Sequence, residues 1–361
     1  MLQTKHSTAV DLFAGCGGLS TGLRQAGFNI LAAVEKDPDA ASSYQLNHPS
    51  TKVYQEDIRL LTTSRLLGDL SLSPGQLDLL AGCPPCQGFT RLTENSGRRD
   101  PRNRLVREYV RVCKILLPKV CMLENVPGLM TRGKRYFKEL TAELENLGYH
   151  LVYQVVEMAD YGVPQLRKRL VLLGCRVGVL EIPPPTHSRE GKESGRSVWK
   201  TVEEAIGHLP PPKLSSDIEP RRSVPTWHTA RSVSKEVKQR LEHAISNEGG
   251  RATLPANLRL ACHARYPRGF FDVYGAMKWD EPAPTMTSGC TNASKGKFGH
   301  PAQPRPLTPR EAALLQTFPR GYRFDGSGVE SVARQIGNAL PCRFAKILGR
   351  SILPALQADG L

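Results

Sequence analysis

The sequence predicts a doubly wound, largely parallel α/β sheet followed by a smaller, irregular second domain. Two observations carry this. The first 175 residues alternate short apolar runs with stretches of helical period, the rhythm of successive strand–helix–strand units. From IPPPTHSREGKESGRS (182–197) onward the chain turns polar, basic and rich in Pro and Gly, and the alternation stops. This texture places a sheet domain at residues 1–182, a second domain at 183–327 and a return to the first at 328–361.

TAVDLFAG reads as the first strand, and GLSTGLRQAGF as a helix with Leu19 and Leu23 at helical spacing and Gly27 as its stop. NILAAVEKD is a second strand and LDLLAG (77–82) a third. From Asn103 to Leu117 the apolar positions Leu105, Tyr109, Val112, Cys113 and Leu116 keep helical period until Pro118. VCMLENV, HLVYQVVEM and RLVLLGC are three more strands. In LTPREAALLQTF, Thr308 caps a helix, Pro309 takes its first position and Glu311 completes a capping box. QIGNALPCRFAKILGRSILPAL reads as a loop followed by a helix.

The 361 residues suffice for a full core and a second domain, and no stretch approaches the roughly 18 apolar residues of a membrane span. The N-terminus lacks the long apolar run of a signal peptide. Nine scattered cysteines suggest reduced thiols and a cytoplasmic location. The net charge of +15 favours a polyanionic partner. That charge is clustered: residues 87–107 hold six arginines against two acids, and 220–269 hold ten Lys/Arg against three. Clustering of this kind suits a nucleic-acid backbone better than general solubility.

Four stretches carry chemistry. In DLFAGCGGLSTG, the glycines between strand and helix let a ligand approach the backbone, and Glu35 follows Gly15 by 20 positions at the next strand end. NAD, FAD or S-adenosylmethionine would fit such a loop; Asp57, near the next turn, could meet an adenine amino group. In AGCPPCQGFT, Cys83 and Cys86 have no second CxxC to complete a zinc site, and Pro-Pro is unusual between redox cysteines. A single reactive thiol at the carboxyl edge of the sheet remains, with Cys86 the better placed after the rigid prolines. No metal is expected. LENVPGL sets Glu124 and Asn125 at a strand end, where a carboxylate can exchange protons or cap a helix. In VPQLRKRL, strand alternation would put Arg167 and Arg169 on one face, fit for an anion or a planar polar group.

In order along the chain, DLFAGCGGLSTGL, GCPPCQGFT, LENVPGL, QLRKRL, LTPREAALLQTFP and QIGNALP resemble the motifs of the DNA (cytosine-5)-methyltransferases of bacterial restriction–modification systems. The likeness runs from Val10 to about Ala355 and is absent from roughly 185 to 260. Its departures are mild: a second Pro in GCPPCQ, and Ala-Leu in QIGNALP.

The resemblance implies a Rossmann-like, S-adenosylmethionine-dependent methyltransferase fold with a catalytic domain, a target-recognition domain and a C-terminal return. It implies that Cys86 adds to carbon 6 of cytosine, that Glu124 acts as an acid at ring nitrogen 3, and that Arg167 and Arg169 orient that carboxylate and hold the base carbonyl. Phe13, Gly15, Gly18, Glu35, Asp57, Pro85 and Asn338 would line the S-adenosylmethionine site. Double-stranded DNA is the implied partner, with the target base flipped out. The loop bearing Gln87, Thr90, Arg91, Arg98 and Arg99 would close on that base and grip the phosphates, and be mobile without DNA; Thr287 would lie near the target phosphate. Trp227, His228, Arg265, Tyr266 and Arg268 are candidate readers or packing residues of the basic region. The family pattern further implies a monomer and a cognate restriction endonuclease as functional partner. The same chemistry on tRNA, and a non-catalytic DNA-binding protein, are the competing readings; intact Cys86, Glu124, Arg167 and Arg169 favour an enzyme.

Overall fold

The computed structural model describes residues 6–85, 101–214, 227–265 and 271–358. The described chain divides into two compact units: residues 1–161, 168–185 and 340–361 form the first, and 162–167 with 186–339 the second. These limits differ from those the texture suggested. Residues 162–167, just ahead of the strand at Lys168–Cys175, belong to the second unit, which also extends to Ala339.

The first unit is built on β1 (Thr8–Leu12), α1 (Gly18–Ala26), β2 (Asn29–Val34), α2 (Pro38–Asn47), β3 (Lys52–Tyr54), α3 (Thr63–Leu70), β4 (Leu79–Gly82), α4 (Leu105–Leu116), β5 (Val120–Asn125), α5 (Gly128–Thr131), α6 (Lys134–Asn146), β6 (His150–Glu157) and β7 (Lys168–Cys175). The strands form one sheet in the order β3-β2-β1-β4-β5-β7-β6. The first five are parallel, while β7 runs antiparallel to both β5 and β6. β4 and β5 are buried along their whole length, the near-continuous apolar pattern of strands covered on both faces. The main core joins Val10, Leu12, Leu80, Leu123 and Leu172 of the sheet to Val106, Tyr109 and Val112 of α4 and Leu140 of α6.

The strand order reverses between β1 and β4, which lie side by side with Leu12 paired to Gly82. Gly82 in turn pairs with Leu123, and Leu12 with Val34. The segments leaving β1, β2, β4 and β5 therefore emerge next to one another at the carboxyl edge. Open α/β sheets bind ligands at such a switch point.

The second unit contains the short strands β8 (His187–Ser188), β9 (Ser197–Val198), β10 (Lys213–Leu214) and β11 (Thr229–Ala230), and the helices α7 (Val202–Ile206), α8 (Lys235–Ser246), α9 (Ala261–Arg265), α10 (Pro309–Leu315) and α11 (Val329–Asn338). Thr308 and Glu311 form the expected capping box at α10. QIGN ends α11 rather than forming a loop, because Val332 and Ile336 continue a buried helical stripe. The chain then returns to the first unit as α12 (Cys342–Ala358). There α12 meets α1 so closely that a side chain at Gly22 would strike the Cys342 carbonyl and Ala345. Only glycine fits that crossing.

Candidate active site

The glycine loop after β1 departs from ordinary backbone at three positions. Phe13, Gly15 and Gly17 have φ of 60°, 55° and 93°. Glycine adopts this conformation freely, whereas Phe13 does so at a cost of about 1–2 kcal/mol. Space beside Gly15 is open: apart from its chain neighbours, no atom of the described residues lies within 4 Å of a Cβ at that position. Gly18 opens α1. Glu35, just beyond β2, ties the loop down: its Oε2 accepts from Gly15 N at 2.8 Å and its Oε1 from Asp37 N at 2.8 Å. Burial raises its carboxyl above the ordinary range, opposed by these N–H donors.

Asp11, at the end of β1, is fully buried. Its Oδ2 accepts from Ser20 Oγ at 2.6 Å, and that hydroxyl accepts from the Tyr44 hydroxyl at 2.7 Å. Oδ1 has no hydrogen-bond partner among the described residues. Burial pushes this carboxyl up to about 7, against the Ser20 bond and with help from the Glu35 charge.

Asp57 caps a 3₁₀ turn, Ile58–Leu60, and is forked by the Arg59 guanidinium at 2.9 and 2.6 Å. That bond chiefly holds its carboxyl down at about 2. The turn is gripped from α4 as well: Arg111 donates to the carbonyls of Ile58 at 2.7 Å and Leu61 at 3.2 Å. Nothing in the sequence pattern singles out Arg111 for this; it reads as one exposed cation on an amphipathic helix.

β4 leads into Cys83, whose N–H donates to Leu12 O at 3.3 Å, and then into Pro84 and half-buried Pro85. Asn125 holds this turn by donating Nδ2–H to the Pro84 carbonyl at 3.1 Å. Beside it Glu124 accepts from Arg169 Nε at 2.8 Å, with side chains only 9% and 14% exposed. Cys86, Gln87, Thr90, Arg91, Arg98 and Arg99 lie outside the described residues. So do Tyr266 and Arg268, and the side chain of Arg265.

In the second unit Arg167 departs from the expected pairing. It precedes β7, is 3% exposed, and donates to the carbonyls of Met286 at 2.7 Å, Gly337 at 3.1 Å and Ala339 at 3.3 Å. Arg169 is thus the arginine of the pair that bonds Glu124. Buried Gln165 and Gln316 continue the same polar knot: Gln165 Nε2 donates to Gln316 Oε1 at 3.0 Å, and Gln316 Nε2 to Ile336 O at 2.7 Å. Thr287 is half-buried, and a side chain at Gly337 would collide with its backbone. Asn338 is exposed at the end of α11. Trp227 and His228 make packing bonds rather than presenting free edges: the indole N–H donates to Phe324 O at 2.8 Å, and His228 contacts Thr308 Oγ1 and Pro210 O. Among the described residues no cluster of His, Cys, Asp or Glu could hold a metal ion. No described helix is long and apolar enough to cross a membrane.

The family model for C-5 cytosine-specific DNA methylases matches residues 7–354. The chain belongs to that family. It is 37% identical to the type II methylase M.HgiDII of Herpetosiphon aurantiacus over 355 residues, which are 96% of this chain and 95% of that one. It is 34% identical to the type II methyltransferase M1.HphI of Haemophilus parahaemolyticus over 96% of its own length and 86% of the relative's. Among solved structures it resembles a DNA modification methyltransferase encoded within a prophage in E. coli, with TM-score 0.70, 26% identity, and coverage of 97% and 99%. The Entamoeba histolytica methyltransferase EhMeth shares the fold at 15% identity, with TM-score 0.65 and coverage of 98% and 99%. The protein is a methyltransferase of an S-adenosylmethionine-dependent family, acting on cytosine carbon 5 in DNA. Its Rossmann-like α/β unit and smaller second unit match the fold of that family.

Proposed function

We propose that the chain methylates carbon 5 of a flipped-out cytosine within a specific duplex DNA sequence through a covalent adduct at Cys86. The observation that most supports this is the arrangement at the ends of β4 and β5. Asn125 fixes the carbonyl of Pro84, two residues before Cys86, while Arg169 fixes Glu124 on the same strand.

Each residue answers a demand of the chemistry. Carbon 5 of cytosine is a weak nucleophile until a thiolate adds at carbon 6. The Cys86 Sγ–C6 bond forms as the ring π electrons move toward nitrogen 3, where Glu124 supplies a proton. The resulting enamine is nucleophilic at carbon 5. When bound, S-adenosylmethionine supplies an electrophilic methyl group on sulfur. A base then takes the proton from carbon 5, the Sγ–C6 bond breaks to restore the thiolate, and nitrogen 3 returns its proton to Glu124. Arg169 holds one Glu124 oxygen and leaves the other for the base.

The loop residues suit S-adenosylmethionine. Space beside Gly15 admits the ligand, and each Glu35 oxygen retains a lone pair beyond its backbone donor for a ribose hydroxyl. Phe13, Gly18 and Pro85 line the same edge, and Asp57 meets the adenine amine. Gln87, Thr90, Arg91, Arg98, Arg99 and Thr287 contact the DNA. The enzyme works as a cytoplasmic monomer alongside a cognate restriction endonuclease.

Duplex DNA carrying 5-fluorocytosine at every cytosine tests the adduct. Fluorine at carbon 5 cannot leave as a proton does, so the account expects a denaturation-resistant protein–DNA complex that forms with S-adenosylmethionine and is lost in Cys86→Ala. Methylation of ordinary DNA without any trapped complex would refute the covalent route.

A further inference from the structure

The two edges of the main sheet are finished differently. One edge, β3, is three residues long and opens on Lys52, which pairs with Asp69 at 2.8 Å. Short strands and edge lysines keep a sheet from pairing with another chain. The other edge, β6, carries neither device. It runs for eight residues and pairs with β7 in unbroken register, from His150↔Cys175 to Glu157↔Lys168. Its inner stretch, LVYQVV (151–156), holds no charge, no Pro and no Gly. Every second residue of an antiparallel strand turns its N–H and C=O away from its neighbour. Among the described residues, no backbone bond from outside the sheet reaches residues 150–157. The side chains at the middle of the strand lie open as well: Tyr153 is 44% and Val155 39% exposed, and Gln154 between them is exposed. Tyr153 is supported by Phe137 of α6, whose ring meets it edge-on at 5.0 Å.

An open edge invites another strand, and the order of side chains selects which. Two identical strands paired antiparallel about a two-fold axis normal to the sheet set residues of the same face opposite each other, so the axis must pass through a residue. Centred on Gln154, β6 opposes Tyr153 to Val155 of a second copy and Val152 to Val156, each pair occurring twice. Aromatic–β-branched pairs of this kind are favourable cross-strand combinations. Gln154 faces its own equivalent, where two amides can bond each other. The pairing therefore covers the very side chains that the single chain leaves open, and an uncharged edge offers nothing to a phosphate backbone. We propose that two copies of this chain pair through β6, antiparallel about an axis at Gln154, joining their sheets into one. One strand from each copy covers less than a stable interface of roughly 1,200–2,000 Å². Association therefore falls in about the micromolar range, and the dilute enzyme remains the monomer proposed above. β7 lies between β6 and the strand bearing Glu124, which keeps Glu124 out of the pairing.

Sedimentation velocity of the full chain, from about 1 to about 100 µM, reads the association directly. The parent should pass from monomer to dimer across that range and go no further. Because Gln154 opposes itself, Gln154→Lys should weaken the dimer about two- to five-fold by setting like charges face to face, and Gln154→Glu should do the same. An equimolar mixture of these two variants should dimerise at least as well as the parent, a result that neither a different interface nor misfolding would give. Val155→Lys, which disrupts both symmetry-related pairs with Tyr153, should weaken the dimer about ten-fold. Melting temperature, and methyl transfer by the dilute enzyme, should match the parent in all three variants. A parent that stays monomeric at about 100 µM, or that grows past the dimer into open-ended aggregates, would overturn the proposal. Parent-like dimers in all three variants would place the contact elsewhere and overturn it too.

Discussion

Arg169 Nε and Glu124 Oε1 lie 2.8 Å apart, on antiparallel strands and almost out of solvent. The strand register brings them near each other, pairing Glu124 with Val171 and Asn125 with Leu170. A long side chain from Arg169 then spans the remaining step.

Proton supply at the base is the first consequence. Glu124→Gln keeps the shape and the bond to Arg169 but cannot deliver a proton as an acid does. Its kcat should fall by roughly 10²–10⁴, with S-adenosylmethionine affinity within a few-fold of the parent, measured by methyl transfer and calorimetry. Arg169→Met should both slow transfer and lower the melting temperature, because it strands a buried carboxylate.

Arg167 should reveal itself mainly through stability. Its guanidinium satisfies three carbonyls, and each buried acceptor left unpaired costs about 1–3 kcal/mol. Arg167→Met should therefore lower the melting temperature by several degrees. An unchanged melting curve with abolished transfer would instead place Arg167 at the substrate.

The turn after Asp57 yields a prediction with two magnitudes. The Arg59–Asp57 pair is solvent-exposed on the arginine side, where water screens it, so Arg59→Ala should raise KM for S-adenosylmethionine no more than about five-fold. Arg111→Met, which releases two carbonyls, should raise it further. It should also reduce discrimination against a cofactor analogue lacking the adenine amine, an effect that general destabilisation would not produce.

Asp11 predicts a pH signature. Its folded carboxyl titrates at about 7, above an ordinary unfolded value near 3.8, so the folded state favours the proton. The associated stability is fully present below about pH 4 and is lost as pH rises toward and through 7. The shift corresponds to about 4 kcal/mol. Asp11→Asn should therefore gain melting temperature relative to the parent at pH 8, with the gain shrinking at pH 5. An equal difference at both pH values would contradict the assignment.

Much of this was legible in the sequence. β1, β2, β4 and β5 are apolar runs broken by turn residues, and the capping box of α10 is spelled out by Thr308, Pro309 and Glu311. Other features leave no local mark. α2, PDAASSYQLN, has no apolar stripe to betray its period, and β3 is only three residues long. The antiparallel direction of β7 depends on long-range pairing. Arg167 and Arg169 look like one alternating face, yet β7 begins at Lys168, and Arg167 is drawn to carbonyls more than a hundred residues away in sequence. Asn125, Arg111 and Gln316 act through backbone atoms that no side-chain pattern encodes.

The central claim is tested most directly by incubating the purified protein with S-adenosylmethionine and unmethylated mixed-sequence plasmid DNA, digesting to nucleosides, and measuring methylated bases by mass spectrometry beside Cys86→Ala. The account predicts 5-methylcytosine with the parent protein and none with the variant. Undiminished 5-methylcytosine from Cys86→Ala, or methyl groups found only on exocyclic amines, would contradict it.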